Sequence, residues 1–270
     1  MPIFYDTHAH LDYPDFAAEL PQVVERAQAA GIHRILSIGT NLESSRRAVS
    51  LAEQFECVYA VIGWHPSDAL EAPQDIRGEL RTLSANPKVV ALGETGLDYY
   101  RLPSTQAGGS VEDDARYKQR QAELFRQHLE VAVETGLNCV IHQRGDCVED
   151  TLSLLQPFGD RVRGVFHCFA GEISTLNRIL ALNSIVSFTG IATFKNGQNV
   201  RDAIAATPPG KFMLETDSPF LAPVPYRGKR CEPAYVKELS EAVAQAKGCS
   251  LEELSEMTCS TAHAFFPRLK

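Results

Sequence analysis

The chain lacks the cysteine spacings that mark disulfide frameworks and structural zinc sites. It has seven cysteines, an odd number, and no two of them are arranged as Cys-x-x-Cys. This usage is typical of a reducing compartment, so we expect the protein to be cytoplasmic. The sequence also has no apolar run as long as a membrane span, and Asp6 interrupts the segment where a signal peptide would be apolar.

Basic residues are fewer than acidic residues. The chain carries 26 Lys and Arg against 34 Asp and Glu, a formal net charge of −8, which argues against a protein that coats nucleic acid by charge alone. Any nucleic acid would have to be held locally. A Gly-x-Gly-x-x-Gly motif that opens a helix is also missing, which removes the obvious dinucleotide-binding alternative.

What the sequence does contain is a regular alternation of short β-branched runs and longer amphipathic segments, typical of βα units around a parallel sheet. Eight strands are predicted, at residues 3–10, 33–39, 57–63, 88–94, 138–142, 164–168, 185–189 and 212–217. Helical patterns lie at residues 17–30, 44–55, 76–84, 115–135, 148–155, 174–182, 233–247 and 251–266. This order predicts a closed (β/α)8 TIM barrel of the α/β class, with residues 1–270 forming one domain.

Residue types that bind metals recur where the predicted strands end. They are His8 and His10 on strand one, His65 after strand three, Glu94 on strand four, His142 on strand five, His167 on strand six and Asp217 on strand eight. A barrel gathers these strand ends in one ring at its mouth, where the active sites of this architecture lie. The remaining histidines, His33, His128 and His263, fall at the opposite end of a strand or in helices, and we interpret them as structural.

Four imidazoles and two carboxylates exceed what one catalytic zinc needs, which is normally three protein ligands. Two divalent ions bridged by a carboxylate would use all of them. Glu94 is the natural bridge because strand four lies between the imidazoles of strand one and those of strands five and six. Asp217 can bind the first ion and accept a proton from the attacking water. Asp6 shares a strand face with His8 and is expected to orient an imidazole without binding the ion.

Six short motifs follow one another along the chain: residues 6–12 (DTHAHLD), 63–66 (GWHP), 93–100 (GETGLDYY), 141–144 (IHQR), 167–171 (HCFAG) and 214–219 (LETDSP). In this order they resemble the TatD-type metal-dependent deoxyribonucleases of the amidohydrolase superfamily, and the likeness spans nearly the whole chain. The resemblance implies one ion held by His8, His10, Glu94 and Asp217, and a second held by Glu94, His142 and His167. It also implies hydrolysis of DNA phosphodiesters, often as an exonuclease on single-stranded ends, with magnesium, manganese or zinc.

Other side chains are candidates for contact with a DNA substrate. His65 and Arg144 are expected to contact phosphate oxygens, and together with Asp217 as general base they form the predicted catalytic set. Trp64 is expected to stack on an unpaired base, whereas Tyr99 and Tyr100 could equally pack in the core. The loop after strand eight carries the compact basic run expected to bind phosphates: Arg227, Lys229 and Arg230.

Two features depart from the family pattern. Cys231 stands where an Asn is usual, and residues 101–116 look longer than the usual connection. Cys168, next to His167, is expected to face the core because neighbouring strand residues point to opposite sides.

Two other readings stay open. The closest is an ester or amide hydrolase on the same barrel, such as a D-aminoacyl-tRNA deacylase, because an ion-activated water serves either chemistry. Related amidohydrolases often bridge their metals with a carboxylated lysine on strand four, but the lysine of that strand, Lys88, lies at its far end. A non-catalytic metal-dependent binding protein is the second alternative, and no obligate protein partner is evident.

Overall fold

A ring of eight parallel strands forms the centre of the computed structural model, which describes residues 2–270. The strands are β1 (Phe4–Ala9), β2 (Ile32–Ile38), β3 (Val58–Ile62), β4 (Val89–Asp98), β5 (Asn138–Arg144), β6 (Gly164–Phe166), β7 (Ile185–Phe188) and β8 (Phe212–Leu214). They neighbour one another in chain order. Main-chain bonds from Asp217 N to His8 O (2.9 Å) and from His10 N to Ser218 O (2.8 Å) then join the end of β8 to β1. The predicted TIM barrel is confirmed.

Nine α-helices are present in residues 2–270: α1 (Leu20–Ala29), α2 (Leu42–Gln54), α3 (Arg77–Ser84), α4 (Val111–Thr135), α5 (Val148–Leu155), α6 (Ile173–Ala181), α7 (Gln198–Ala206), α8 (Val236–Lys247) and α9 (Leu251–Phe265). The helical patterns of the sequence omit α7, whose buried face consists of only Val200, Ala203 and Ile204. Over the same residues, no helix combines the length and apolarity that crossing a membrane requires.

Helix α4 begins at Val111, four residues before the helical pattern at residues 115–135 and inside the long connection of residues 101–116. Its start is set by a capping box, in which Ser110 Oγ accepts from Asp113 N (3.2 Å) and Asp113 Oδ2 accepts from Ser110 N (3.0 Å). Gly136, with φ of 68°, ends the helix in the left-handed conformation. The long connection after β4 is therefore shorter than residues 101–116 and includes a 3₁₀ turn, Pro103–Thr105.

The strand ends differ from prediction where the site is built. Strand β4 continues to Asp98 because it pairs with β5 as far as Arg144. Strands β6 and β8 stop early, at Phe166 and Leu214, so that His167 and Asp217 follow them in loops. The backbone of Asp217 is left-handed (φ 57°), which turns the chain out of β8 toward the mouth.

The barrel interior is filled by a cluster with at least one member from every strand: Tyr5, Leu36, Ile38, Tyr59, Val61, Val90, Ala91, Val140, Val165, Ile185 and Met213. Phe265, Phe266 and Leu269, from the end of α9 and the residues after it, belong to the same cluster. The C-terminus thus closes the end of the barrel at which the strands begin, where Lys270 O accepts from Tyr59 Oη at 3.0 Å. The polar groups gather at the other end.

Candidate metal centre

A cavity of about 940 Å³ opens at the carboxyl ends of the strands. Seven predicted site residues line it: His10, His65, Glu94, His142, Arg144, His167 and Asp217. His8 lies beneath them and is fully buried. The topology of the barrel thus brings every predicted metal ligand to one place, although they are spread over more than 200 residues of the chain.

Glu94 lies at the centre of the site, and its two carboxylate oxygens face different imidazoles. Oε1 lies 2.8 Å from His142 Nδ1 and 2.8 Å from His167 Nε2. Oε2 lies 3.4 Å from His8 Nε2 and 3.8 Å from His10 Nε2. One side chain therefore adjoins two separate groups of nitrogen donors.

Asp217 completes the group on the β1 side. Its Oδ1 lies 3.4 Å from His10 Nε2 and 3.6 Å from His8 Nε2. The main-chain bond from Asp217 N to His8 O holds the two segments in this arrangement. His8, His10 and Asp217 offer ligand atoms that lie within 4.8 Å of one another, as do His8, Glu94 and His167.

His142 is oriented by a partner that sequence analysis missed. Asp98 Oδ2 lies 3.1 Å from His142 Nε2, so the neutral ring carries its proton there and leaves Nδ1 with a free lone pair. Nδ1 is the atom that faces Glu94. Asp98 lies in the GLDYY motif, so the sequence marks it as a candidate. Its contact with His142, however, depends on the pairing of β4 with β5.

His65 has the same tautomer as His142 but turns its other nitrogen, Nε2, toward Glu94. Its Nδ1 accepts from Ser67 N at 3.1 Å, so the neutral ring carries its proton on Nε2. Nε2 lies 3.3 Å from Glu94 Oε1, to which it can donate. Although His65, Glu94 and His142 also meet the distance for a metal-binding group, this hydrogen bonding makes His65 a donor and not a ligand.

The donor set fits divalent metal ions. Over residues 2–270, both ring nitrogens of His8 and the Nδ1 atoms of His10 and His167 are buried without a hydrogen-bond partner. Buried polar atoms nearly always have partners, and His8 Nε2 here faces the carboxylates of both Glu94 (3.4 Å) and Asp217 (3.6 Å). Imidazole and carboxylate together suit zinc, manganese and iron, and magnesium less well.

The two carboxylates of the site are held in their ionised forms. Burial on its own raises the pKa of Glu94, but the surrounding imidazoles, led by His167, hold that pKa well below its usual value. Burial likewise opposes ionisation of Asp217, yet the hydrogen bond with His10 and the nearby rings bring its pKa below 3.8. Burial lowers the pKa of His8, which keeps that ring in the neutral form that a ligand needs.

A family model described as "TatD related DNase" matches residues 5–267. The chain belongs to the TatD-related DNase family. It is 37% identical over 265 residues to the uncharacterized metal-dependent hydrolase YabD of Bacillus subtilis, with 98% of this chain and 99% of that protein covered. It is 31% identical over 268 residues to the 3′-5′ ssDNA/RNA exonuclease TatD of Klebsiella pneumoniae, with 97% of each chain covered. The protein is a metal-dependent hydrolase of the nuclease type.

The crystal structure of YjjV, a TatD homologue from Escherichia coli, has the same fold. The TM-score is 0.87 over 98% of both chains at 24% sequence identity. The resemblance noted from the six motifs is thus confirmed at the level of the family and of the barrel.

Within this TatD-family barrel, Trp64 does not line the cavity. Its indole Nε1 donates to Asp68 O at 2.9 Å, and its ring packs against the hydrophobic core. The expectation that Trp64 stacks on a base is therefore corrected. Among the aromatic side chains that line the cavity, Tyr13 is stacked on His10 with ring centroids 4.7 Å apart, and Phe220 is 50% exposed.

The basic run after β8 also lies outside the cavity lining. Arg230 is engaged elsewhere, because it pairs with Glu19 at 2.8 Å and donates to Asp15 O at 2.6 Å. Arg227 lies over the ring of Phe194, 3.7 Å from its centroid, while Lys229 is exposed. The expectation that Arg230 is free to bind phosphate is corrected, whereas Arg144 does line the cavity.

Asp6 and Cys168 also differ from expectation. Asp6 accepts from the main-chain N of His8 (3.3 Å) and of Thr216 (2.9 Å), so it joins β1 to the segment after β8 and orients no imidazole. Cys168 lines the cavity instead of facing the core, because its left-handed backbone (φ 50°) ends the strand alternation. Cys231 is fully buried.

A second acid that sequence analysis missed is Glu215. Its Oε1 lies 3.5 Å from His167 Nδ1 and accepts from Cys168 N at 2.6 Å, while Oε2 accepts from Ser187 Oγ at 2.6 Å. Glu215 therefore braces the loop that carries His167. It lies in the LETDSP motif, two residues before Asp217.

The three histidines interpreted as structural lie away from the cavity lining. His128 is buried in α4 and accepts from Trp64 N at 3.0 Å. His263 contacts Tyr5 Oη at 2.9 Å, and His33 is exposed.

Proposed function

We propose that this chain hydrolyses phosphodiester bonds of single-stranded DNA, from the 3′ end, at a site that holds two divalent metal ions. The observation that carries the proposal is Glu94, whose Oε1 adjoins His142 and His167 while its Oε2 adjoins His8 and His10. A shared carboxylate between two donor groups is the arrangement of two-metal phosphodiesterases. The names of the curated relatives support both the substrate and the direction of cleavage.

His8, His10, Glu94 and Asp217 would hold one ion, and Glu94, His142 and His167 the other. Ions bound there would polarise the phosphoryl oxygens and lower the pKa of a water at the site, a task that zinc, manganese or magnesium can perform.

Asp217 is the general base in this proposal. Its side chain is 15% exposed, against 3% for Glu94, so it is the ligand carboxylate that water in the cavity can reach. Burial opposes its ionisation, but the hydrogen bond with His10 and the nearby rings lower its pKa from the usual value, so the group can accept a proton at a carboxylate oxygen.

His65 and Arg144 supply hydrogen-bond donors to the scissile phosphate. The Nε2–H of His65 points to the donor cluster, and its side chain is 17% exposed. Arg144 is exposed at the cavity edge, two residues after His142 on β5. Both groups would stabilise negative charge that develops on the phosphoryl oxygens.

The test is a metal-reconstituted assay on four substrates: single-stranded DNA, duplex DNA, RNA and an aminoacyl ester. We expect single-stranded DNA to be cut fastest, with mononucleotides released from a 5′-labelled strand so that the labelled product shortens stepwise. Glu94→Gln should abolish turnover and reduce bound metal, whereas Glu149→Gln, at an exposed surface pair with Arg178, should behave like wild type. An aminoacyl ester cut faster than every oligonucleotide would refute the proposal in favour of deacylation.

We also propose that residues 1–270 act as one catalytic domain in a reducing, cytoplasmic environment. The seven cysteines are all free thiols, which supports that environment. Mass spectrometry of the protein isolated from cells under alkylating conditions would test it, because any native disulfide would contradict the proposal.

A further inference from the structure

Arg144 lines the cavity, and beside it, outside the lining, lie aromatic and basic side chains to which the proposed reaction assigns no role. The Arg144 guanidinium carbon lies 4.1 Å from the centroid of the Tyr100 ring, and that of Arg101 lies 5.9 Å from it. Next to them, Lys118 Nζ lies 4.5 Å from the centroid of Tyr99. We call Tyr100, Arg101 and Arg144 the Tyr100 patch.

The cations of this edge have no acidic partner in residues 2–270. Within residues 2–270, the arginines that form salt bridges are all others: Arg26, Arg46, Arg47, Arg77, Arg81, Arg120, Arg178 and Arg230. Tyr100 is 56% exposed, although it is a large aromatic residue. In a chain with a net charge of −8, unpaired arginines beside an exposed ring are suited to a polyanion that also offers flat faces for stacking.

The Tyr100 patch is held in register with the metal centre. Tyr99 N donates to Arg144 O at 2.8 Å, and Tyr100 N donates to Asp98 Oδ1 at 2.8 Å. The other oxygen of Asp98 lies 3.1 Å from His142 Nε2. A single carboxylate therefore orients both the patch and a candidate metal ligand.

Backbone packing reinforces this arrangement. A Cβ at Gly145 would lie 2.7 Å from Tyr100 N, so the chain can approach the patch this closely only with glycine. His142 and Arg144 lie two residues apart on β5, roughly 7 Å along one strand face. That distance is comparable to one nucleotide step of an extended single strand.

The aromatic wall near the other donors is uncharged. It consists of Tyr13, stacked on His10, and the half-exposed Phe220, whose ring centroids lie 6.1 Å apart. In a 3′-5′ exonuclease the nucleotide to be released carries no further phosphodiester, whereas the retained strand carries one at every step. The uncharged wall therefore suits the released nucleotide, and the cationic edge suits the retained strand.

We infer that the Tyr100 patch binds the retained strand, on the 5′ side of the scissile bond of single-stranded nucleic acid. The inference rests on the proposed function. The Arg101 guanidinium contacts a phosphate of that strand, Arg144 beside it contacts the scissile phosphate, and the ring of Tyr100 offers its exposed surface to a base.

The test compares a dinucleotide with a twelve-residue oligothymidylate as substrates of the metal-loaded enzyme. Arg101→Ala should raise KM for the long strand about tenfold with kcat unchanged, and should leave the kinetics on the dinucleotide unaltered. Tyr100→Ala also removes the ring against which Arg144 lies, and it should raise KM for the long strand by at least as much. Tyr100→Phe should restore the wild-type KM. Arg161→Ala removes an exposed arginine that lies over a ring outside the cavity lining, 5.8 Å from the centroid of Phe158, and should change neither substrate.

A binding measurement gives a readout independent of turnover. Fluorescence anisotropy of the labelled oligothymidylate, in calcium in place of the activating metal, should show a salt dependence that falls by about 0.7 in log–log slope for Arg101→Ala. Equal losses on both substrates, or none on the long strand, would overturn the inference while leaving the proposed function intact. Failure of the wild-type enzyme to cut any oligonucleotide would refute the proposed function itself, and the inference with it.

Discussion

Asp98 accepts a hydrogen bond from the Nε2–H of His142 over 3.1 Å, and this bond turns the other nitrogen of the ring toward Glu94. Carboxylates in this position raise the basicity of a ligating imidazole and fix its tautomer. We expect Asp98→Asn to weaken metal affinity by about 10- to 100-fold, as measured by competition with a chromophoric chelator. An unchanged affinity would show that His142 needs no anionic partner.

A matched control for this experiment lies on the same edge. Asp150 Oδ2 accepts from Tyr99 Oη at 2.9 Å and contacts none of the candidate ligands. Asp150→Asn should therefore leave metal affinity at the wild-type value.

Asp217 has two roles in the proposed reaction, as a ligand and as the base, and these can be separated. We expect Asp217→Asn to lower kcat by about 10²- to 10⁴-fold, the usual contribution of a general base, even at metal concentrations that restore full loading. Metal content is measured by mass spectrometry on the assayed sample. A fully loaded Asp217→Asn protein with the wild-type rate would rule out Asp217 as the base.

Metal removal should destabilise the folded chain. Without ions, the carboxylates of Glu94 and Asp217 share one largely buried site with the Nε2 atoms of His8, His10 and His167. At a metal concentration 100-fold above Kd, binding to the folded state alone contributes about 2.7 kcal/mol, so chelation should lower Tm by several degrees. Glu94→Gln should show a much smaller difference between the metal-loaded and chelated samples, and equal Tm values for wild type in both would contradict the prediction.

The sequence was sufficient to predict the barrel and the convergence of the ligands, because both follow from the order of elements. Alternating patterns predict parallel βα units, and a barrel necessarily brings the carboxyl ends of its strands together. His8, Glu94 and Asp217 could therefore be grouped before any distance was known.

Partners that depend on exact geometry could not be predicted. Arg230 belongs to a basic run typical of phosphate binding, yet its guanidinium donates to Glu19, 211 residues away in the chain. The Ser67 N–H that sets the tautomer of His65 comes from a 3₁₀ turn whose existence the pattern did not signal. Residue type predicts the chemistry that a side chain can perform. Which of its donor and acceptor atoms remain free depends on the neighbours that folding brings to it.

His128 provides a prediction about pH that is independent of the metal centre. The ring is fully buried, its Nε2 accepts from Trp64 N at 3.0 Å, and its Nδ1 lies 2.7 Å from Leu124 O. Protonation would place a second N–H against the Trp64 donor, and burial lowers the pKa of His128 from 6.5 to about 4. The folded state thus excludes a proton that the unfolded chain binds below pH 6.5.

The contribution of neutral His128 to the free energy of unfolding should therefore be complete above pH 6.5. As the pH decreases toward 4, the free energy of unfolding should fall by about 3 kcal/mol in total. Urea denaturation across this range, at constant metal concentration, measures the fall. His128→Gln stays neutral at every pH, so its stability should depend less steeply on pH, although it should be lower at pH 7 by about 1–3 kcal/mol because a buried hydrogen bond is perturbed. His33→Gln, at an exposed position, should retain the wild-type slope. If wild type and His128→Gln lose stability in parallel, another group must bind the proton.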